Sequence, residues 1–144
     1  MKIYNNIVAI TFHKKGSEFE FLIFKKAGGE KYWSGWQFMQ GAIDEGESEE
    51  DAVMREINEE SGLKNIEIVK KLDIKTDYWY KEEGELVHKF LNFFLIQVDK
   101  GEKIKLSEEH SEYKWCSFEE AYSLLKYNKD LFKKAYEEMK KLEL

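Results

Sequence analysis

Proline is absent from the 144 residues, cysteine and arginine occur once each, and histidine occurs three times. A single cysteine, Cys116, excludes an internal disulfide and any metal site built from several thiolates. His13, His88 and His110 are scattered without zinc-ligand spacing, and each reads as an ordinary surface or half-buried histidine. No apolar run approaches the roughly 20 residues of a membrane span. The opening stretch "MKIYNNIVAITFHKK" is too short and too interrupted in its apolar part for a signal peptide. A basic excess is also missing. The net charge is −6, which counts against a broad nucleic-acid surface but not against a phosphorylated small molecule held through metal ions. The lack of proline beside 22 lysines fits a biased genome or a hot habitat alike.

What is there describes a folded chain. Hydrophobic residues make up 42% and aromatics 15%, and the length suits one domain over residues 1–144. A cytoplasmic protein without a membrane partner is the expectation. "IVAITFHKK" (7–15) and "EFEFLIFKK" (18–26) read as strands joined at Gly16–Ser17. A glycine- and aromatic-rich passage follows, read as a loop with a short strand over 36–38. Ser48 to Ser61 reads as a helix, capped by Ser48 and ended by Gly62. Two long strand candidates, 66–81 and 85–99, flank "EEGE" and read as a hairpin. A short strand over 112–117 and helices over 117–127 and 129–144 complete the chain. Strands and helices are mixed without strict alternation. The fold class expected is therefore α/β in the α+β sense, a mixed β-sheet sandwiched by helices, and not a doubly wound nucleotide fold.

The chemistry concentrates in "GAIDEGESEEDAVMREINEESGL" (41–63), where nine of 23 residues are acidic and the lone arginine, Arg55, sits among them. On a helix, Glu56, Glu59 and Glu60 stand at i, i+3 and i+4 and share one face, while Val53 and Ile57 share another that can pack on a sheet. Three neighbouring carboxylates repel one another. Divalent cations would neutralise them, and donors that are all oxygen suit Mg²⁺ or Mn²⁺. A solvated acidic face is the other reading, the preferred one for Glu49 and Glu50, and composition alone leaves both open for the other three.

The spacing goes further. Gly41, Glu47, Arg55, Glu56, Ile57, Glu59, Glu60, Gly62 and Leu63 stand where the signature of the Nudix hydrolase family has its fixed residues, and the stretch resembles that signature at every position. The resemblance implies a pyrophosphohydrolase that hydrolyses a nucleoside diphosphate linked to another group, with an α/β/α sandwich fold. It implies Mg²⁺ (or Mn²⁺) held by Glu56, Glu59, Glu60 and the Gly41 carbonyl, with Glu109, six residues before Trp115, completing the set and Glu112 as the alternative. Glu56, Glu59, Arg55 and Glu47 form the catalytic group by the same likeness. Glu56 orients or deprotonates water, and Arg55 is an organising ion-pair partner for which lysine is no substitute. A silent, nucleotide-sensing domain would be expected to have lost motif glutamates, and none is lost.

Within the family, "KYWSGWQF", "DYWYKEEGELVHKF" and "LSEEHSEYKWCSFEEAYSLLKY" resemble the asymmetric diadenosine tetraphosphate hydrolases. That likeness implies a phosphate contact at Lys89 and a base stacked on Tyr78 or Tyr80, with Tyr113 and Tyr127 weaker choices and Trp79 on the opposite strand face. "WQFMQG" is closer to the bacterial RNA 5′-pyrophosphohydrolases and makes Gln40 a further substrate-side residue. Pyrophosphatases of deoxynucleoside or dihydroneopterin triphosphates stay open as alternatives. Apolar edge-strand residues are read as able to support a homodimer.

Overall fold

From Asn6 to His13 every residue is buried, the pattern of a strand covered on both faces. In the computed structural model, which describes residues 1–26, 35–99 and 101–144, this run is the heart of β1 (Lys2–Lys15). The chain continues through β2 (Glu18–Lys26), β3 (Trp36–Gln37), β4 (Met39–Ala42), α1 (Glu49–Ser61), β5 (Ile66–Glu82), β6 (Glu85–Val98), β7 (His110–Cys116), α2 (Phe118–Leu124) and α3 (Lys129–Lys140). The loop expected before Trp36 falls largely on residues 27–34, outside the described residues.

The described strands form one mixed sheet. β1 runs parallel to β6, from Lys2↔Val87 to Phe12↔Gln97, and antiparallel to β2 only from Phe12↔Phe21 to Lys15↔Glu18. Before Phe12 the partner of β1 on that side is β4, from Asn6↔Ala42 to Ala9↔Met39, while β2 pairs with β3 at Phe24↔Gln37. β1 and β2 therefore diverge like a fork, and β3 and β4 fill the opening. β7 lies on the other edge of β2, and β5 pairs with β6.

Alternation along β1 assigns the two cores. Ile7 and Ala9 join Phe94, Ile96 and the α1 residues Ala52, Val53 and Ile57. Val8, Ile10 and Phe12 join Phe93, Leu95 and residues of α2 and α3 such as Ala121, Phe132 and Met139. The result is the sandwich expected from the sequence, with α1 on one face and α2 and α3 on the other.

The local signals behave as their chemistry requires. The Ser48 side chain accepts from the Asp51 amide, and Gly62, at φ 74°, donates its N–H to the Asn58 carbonyl and closes α1. Ser117 caps α2 by accepting from the Glu120 amide. The β5–β6 turn needs two residues with positive φ, Glu83 at 52° and Gly84 at 79°, as in a primed two-residue hairpin. Some boundaries differ from expectation. β1 starts at Lys2 and β7 at His110, and α2 ends at Leu124 because Leu125 turns extended, at φ −58° and ψ 133°, and bridges to Trp36, while Asn128, at φ 62°, leads into α3. β4 was not expected. "MQGA" lacks a strand pattern of its own and becomes one by pairing with Asn6–Ala9.

Candidate active site

Arg55 ties the loop 42–47 to α1. Its Nε donates to Glu47 Oε2 at 2.8 Å and its Nη2 to Glu47 Oε1 at 2.9 Å, a two-pronged pair. Nη2 also donates to the Ala42 carbonyl at 2.9 Å, and Nη1 to Glu56 Oε1 at 2.9 Å and Glu59 Oε2 at 3.3 Å. The Glu47 carboxylate in turn accepts from the Asp44 amide at 3.0 Å. Arg55 and that amide hold the Glu47 carboxyl down at about 2, and Glu47 raises the guanidinium in return. One planar cation thus fixes three carboxylates and a carbonyl, which the point charge of lysine cannot do.

β4 brings Gly41 against α1. A Cβ at this position would overlap the Glu56 carboxylate, so glycine is what lets strand and helix meet there. Burial raises the Glu56 carboxyl, Arg55 opposes the rise, and Glu59 and Glu109 add to it.

The three helix glutamates sit at different depths. The Glu59 side chain is 58% exposed, whereas that of Glu60 is 4% exposed. Glu60 faces β7: its Oε1 lies 2.9 Å from His110 Nε2, and its Oε2 is buried with no hydrogen-bond partner among the described residues. Burial pushes the Glu60 carboxyl up to about 7, against the pull of His110 and with the push of Glu56 and Glu109. One ligand atom each from Glu60, Glu109 and His110 fall within 4.8 Å of one another. Glu112, by contrast, faces Lys25, whose Nζ is 3.7 Å away.

His110 corrects the reading of an ordinary histidine. It is buried, with Phe24 packed at 4.9 Å between ring centroids. Its neighbour Glu109 was the available hint. Its partner lies 50 residues away along the chain, which spacing does not reveal.

Glu60, Glu109 and His110 line a cleft of about 390 Å³ together with Gln40, Tyr78, Tyr80 and Lys89. Lys26 and Lys81 also reach it. The Lys89 ammonium is lowered by burial and by Lys26, and sits 5.2 Å from the Tyr80 ring centroid and 5.8 Å from that of Tyr78. Burial pushes the Tyr78 phenol up to about 12. Tyr127 lines an adjoining, largely apolar pocket of about 270 Å³ with Val8, Phe38 and Leu91. Trp79 lies on the other strand face, 52% exposed and stacked on His88 at 3.8 Å, and Tyr113 is 43% exposed.

The donor set fits a hard divalent ion. Glu60 offers a buried, unpartnered oxygen, and Glu56 and Glu109 are near enough to raise its proton affinity. Among the described residues no helix is long and apolar enough to cross a membrane.

A family model described as the NUDIX domain matches residues 4–139. The chain is similar to the asymmetrical bis(5′-nucleosyl)-tetraphosphatase of Caenorhabditis elegans, 25% identical over 118 residues that make up 82% of each protein. It is similar to an RNA pyrophosphohydrolase of Sulfurovum sp., 35% identical over 104 residues, 65% of this chain and 66% of that protein. The fold is similar to a crystal structure of a C. elegans Ap4A hydrolase binary complex, with a TM-score of 0.78, 23% identity, and coverage of 96% of this chain and 99% of that one. With the motif complete from Gly41 to Leu63 and the family model covering residues 4–139, the chain belongs to the NUDIX family and is a pyrophosphohydrolase of that class.

Proposed function

We propose that this protein is a Mg²⁺- or Mn²⁺-dependent hydrolase of dinucleoside polyphosphates, cleaving diadenosine tetraphosphate to ATP and AMP. The observation that supports this reading most is convergence. Gln40 on β4, Tyr78 and Tyr80 on β5 and Lys89 on β6 line the same cleft as Glu60 and Glu109. The similarity to the C. elegans tetraphosphatase over 82% of both chains supports the same substrate class.

In this reading Glu56, Glu59, Glu60, Glu109 and the Gly41 carbonyl hold the metal. When bound, the ion offsets phosphate charge and makes water more acidic. A water oxygen forms the new bond to phosphorus, the bridging P–O bond breaks, and the departing nucleotide keeps the electron pair. The water proton passes to a carboxylate, for which Glu56, held at one oxygen by Arg55, is the assigned acceptor. Arg55 and Glu47 keep Glu56 in place. Lys89, with Lys26 and Lys81 at the same cleft, neutralises the polyphosphate beyond the reacting centre. Tyr78 or Tyr80 stacks on a base, worth roughly 1–3 kcal/mol and tolerant of base identity.

A second reading, removal of pyrophosphate from an RNA 5′ end, is favoured by the 35% identity to the Sulfurovum enzyme and by Gln40 in the cleft. Mass spectrometry of the products decides between them. The protein is offered diadenosine tetraphosphate, a 5′-triphosphorylated oligoribonucleotide and a deoxynucleoside triphosphate, each with Mg²⁺. ATP and AMP in equal amounts from the dinucleotide, at the highest kcat/KM of the three, is the expected result. Pyrophosphate from the RNA at a higher kcat/KM assigns the second reading, and no release above Glu59→Gln from any of them overturns both.

A further inference from the structure

We propose that His110 is a positioning residue for the Glu60 carboxylate, orienting its unpaired oxygen for a divalent ion. The inference rests on the metal-binding reading of Glu60 above, and its own basis is how the pair is built.

Glu60 stands on the last turn of α1, where a carboxylate side chain only 4% exposed needs a partner. Among the described residues its one side-chain hydrogen-bond partner is His110, itself 5% exposed in its side chain. The bond uses Oε1 alone. Oε2 is equally buried and has no partner among the described residues. A carboxylate held at one oxygen by a fixed ring has little rotational freedom, so the second oxygen is presented in one direction. Glu109 brings a ligand atom to within 4.8 Å in the same cluster, and both residues line the cleft.

The imidazole is held by Glu60 at Nε2, while its Nδ1 is buried with no hydrogen-bond partner among the described residues, and backbone contacts fix the strand that carries it. Phe24 packs against it, and β2–β7 pairing places His110 opposite Lys26. The segment that leads into β7 is tied to the end of α1 by the Lys105 amide donating to the Ser61 carbonyl at 2.7 Å and the Ser107 amide to the Glu60 carbonyl at 3.4 Å. The His110 amide then donates to the Ser107 carbonyl at 3.3 Å. Gly62, at φ 74°, turns the chain at this point, and a Cβ there would press on Lys105 Cβ at 3.1 Å. The backbone that carries His110 is thereby locked to the backbone that carries Glu60. A histidine kept only to fill space would need no such alignment of Nε2 on Oε1. Partners that orient metal-binding carboxylates typically change metal affinity by about 10–100-fold when removed.

The test is Mn²⁺ affinity by electron paramagnetic resonance at fixed pH, without substrate, beside thermal melting in EDTA. His110→Gln places a donor where Nε2 stands and is expected to bind Mn²⁺ within about threefold of the wild type, while His110→Phe is expected to bind about 10–100-fold more weakly. If the phenylalanine variant fails to fold, His110→Asn, whose amide is too short to replace Nε2, serves in its place with the same expected loss. A folded Phe or Asn variant with wild-type affinity overturns the proposal. So does a glutamine variant as weak as phenylalanine with its preference moved toward Mg²⁺, since His110 would then be a ligand itself. Glu60→Gln separates the two levels. Wild-type Mn²⁺ affinity in that variant removes the metal-binding reading of Glu60, whereas loss there with no loss on changing His110 removes only the positioning role.

Discussion

The carboxylate of Glu56 occupies the volume that a Cβ on Gly41 would need, so β4 and α1 meet at a distance only glycine permits. The carboxylate could swing aside if free, but Arg55 Nη1 holds it at 2.9 Å. Gly41→Ala is therefore expected to fold, since Gly41 is not among the positive-φ glycines, and to displace Glu56 from Arg55. Steady-state kinetics should show kcat lowered by about 10–100-fold, the range typical for a disturbed metal environment, with the melting temperature changed little.

Arg55→Lys keeps the charge and loses the fork. Lysine cannot meet both oxygens of Glu47, the Ala42 carbonyl and Glu56 together. A stability loss of about 1–2 kcal/mol is expected in urea denaturation, with a fall in kcat that added Mg²⁺ does not restore. Full activity in this variant would show that charge alone suffices.

The same residues show how much was legible beforehand. The spacing from Gly41 to Leu63 located the motif, and the Ser48 and Gly62 caps located its helix, because capping and glycine turns depend on neighbours within four residues. The β5–β6 hairpin was readable from Gly84 for the same reason. β4 was not, since its four residues become a strand only through Asn6–Ala9. Helical spacing put Glu56, Glu59 and Glu60 on one face but not at one depth. Depth is set by β7 and the segment before it, which bury Glu60 and leave Glu59 in solvent. The pairing of Glu60 with His110 is a tertiary contact that local sequence does not carry.

Glu60 gives the ion-free protein a pH dependence. A carboxyl raised from its usual 4.5 to about 7 in the folded state favours folding while protonated. Its contribution is full below about 4.5 and is lost as pH rises to about 7. Denaturation in EDTA should show the wild type losing stability relative to Glu60→Gln across this window. Glu47 has the opposite sign: lowered to about 2, it stabilises above 4.5 and that contribution is lost as pH falls toward 2. The wild type should lose stability relative to Glu47→Gln in that lower window.

Lys89 is half-buried beside Tyr78 and Tyr80 in the cleft. Lys89→Ala is expected to lower kcat/KM for a dinucleoside polyphosphate by about 10–100-fold, as loss of a hydrogen bond to a charged group does. Tyr78→Ala should raise KM by roughly tenfold through lost stacking. Unchanged kinetics in both variants would move the substrate out of this cleft.

The most direct measurement is anomalous diffraction from crystals soaked in Mn²⁺. The expected result is a peak within coordinating distance of Glu56, Glu60 and Glu109, beside Gly41, that disappears in Glu60→Gln. Strong sites elsewhere on the protein, with none among these carboxylates in the wild type, would contradict a metal-dependent hydrolase centred on this cleft.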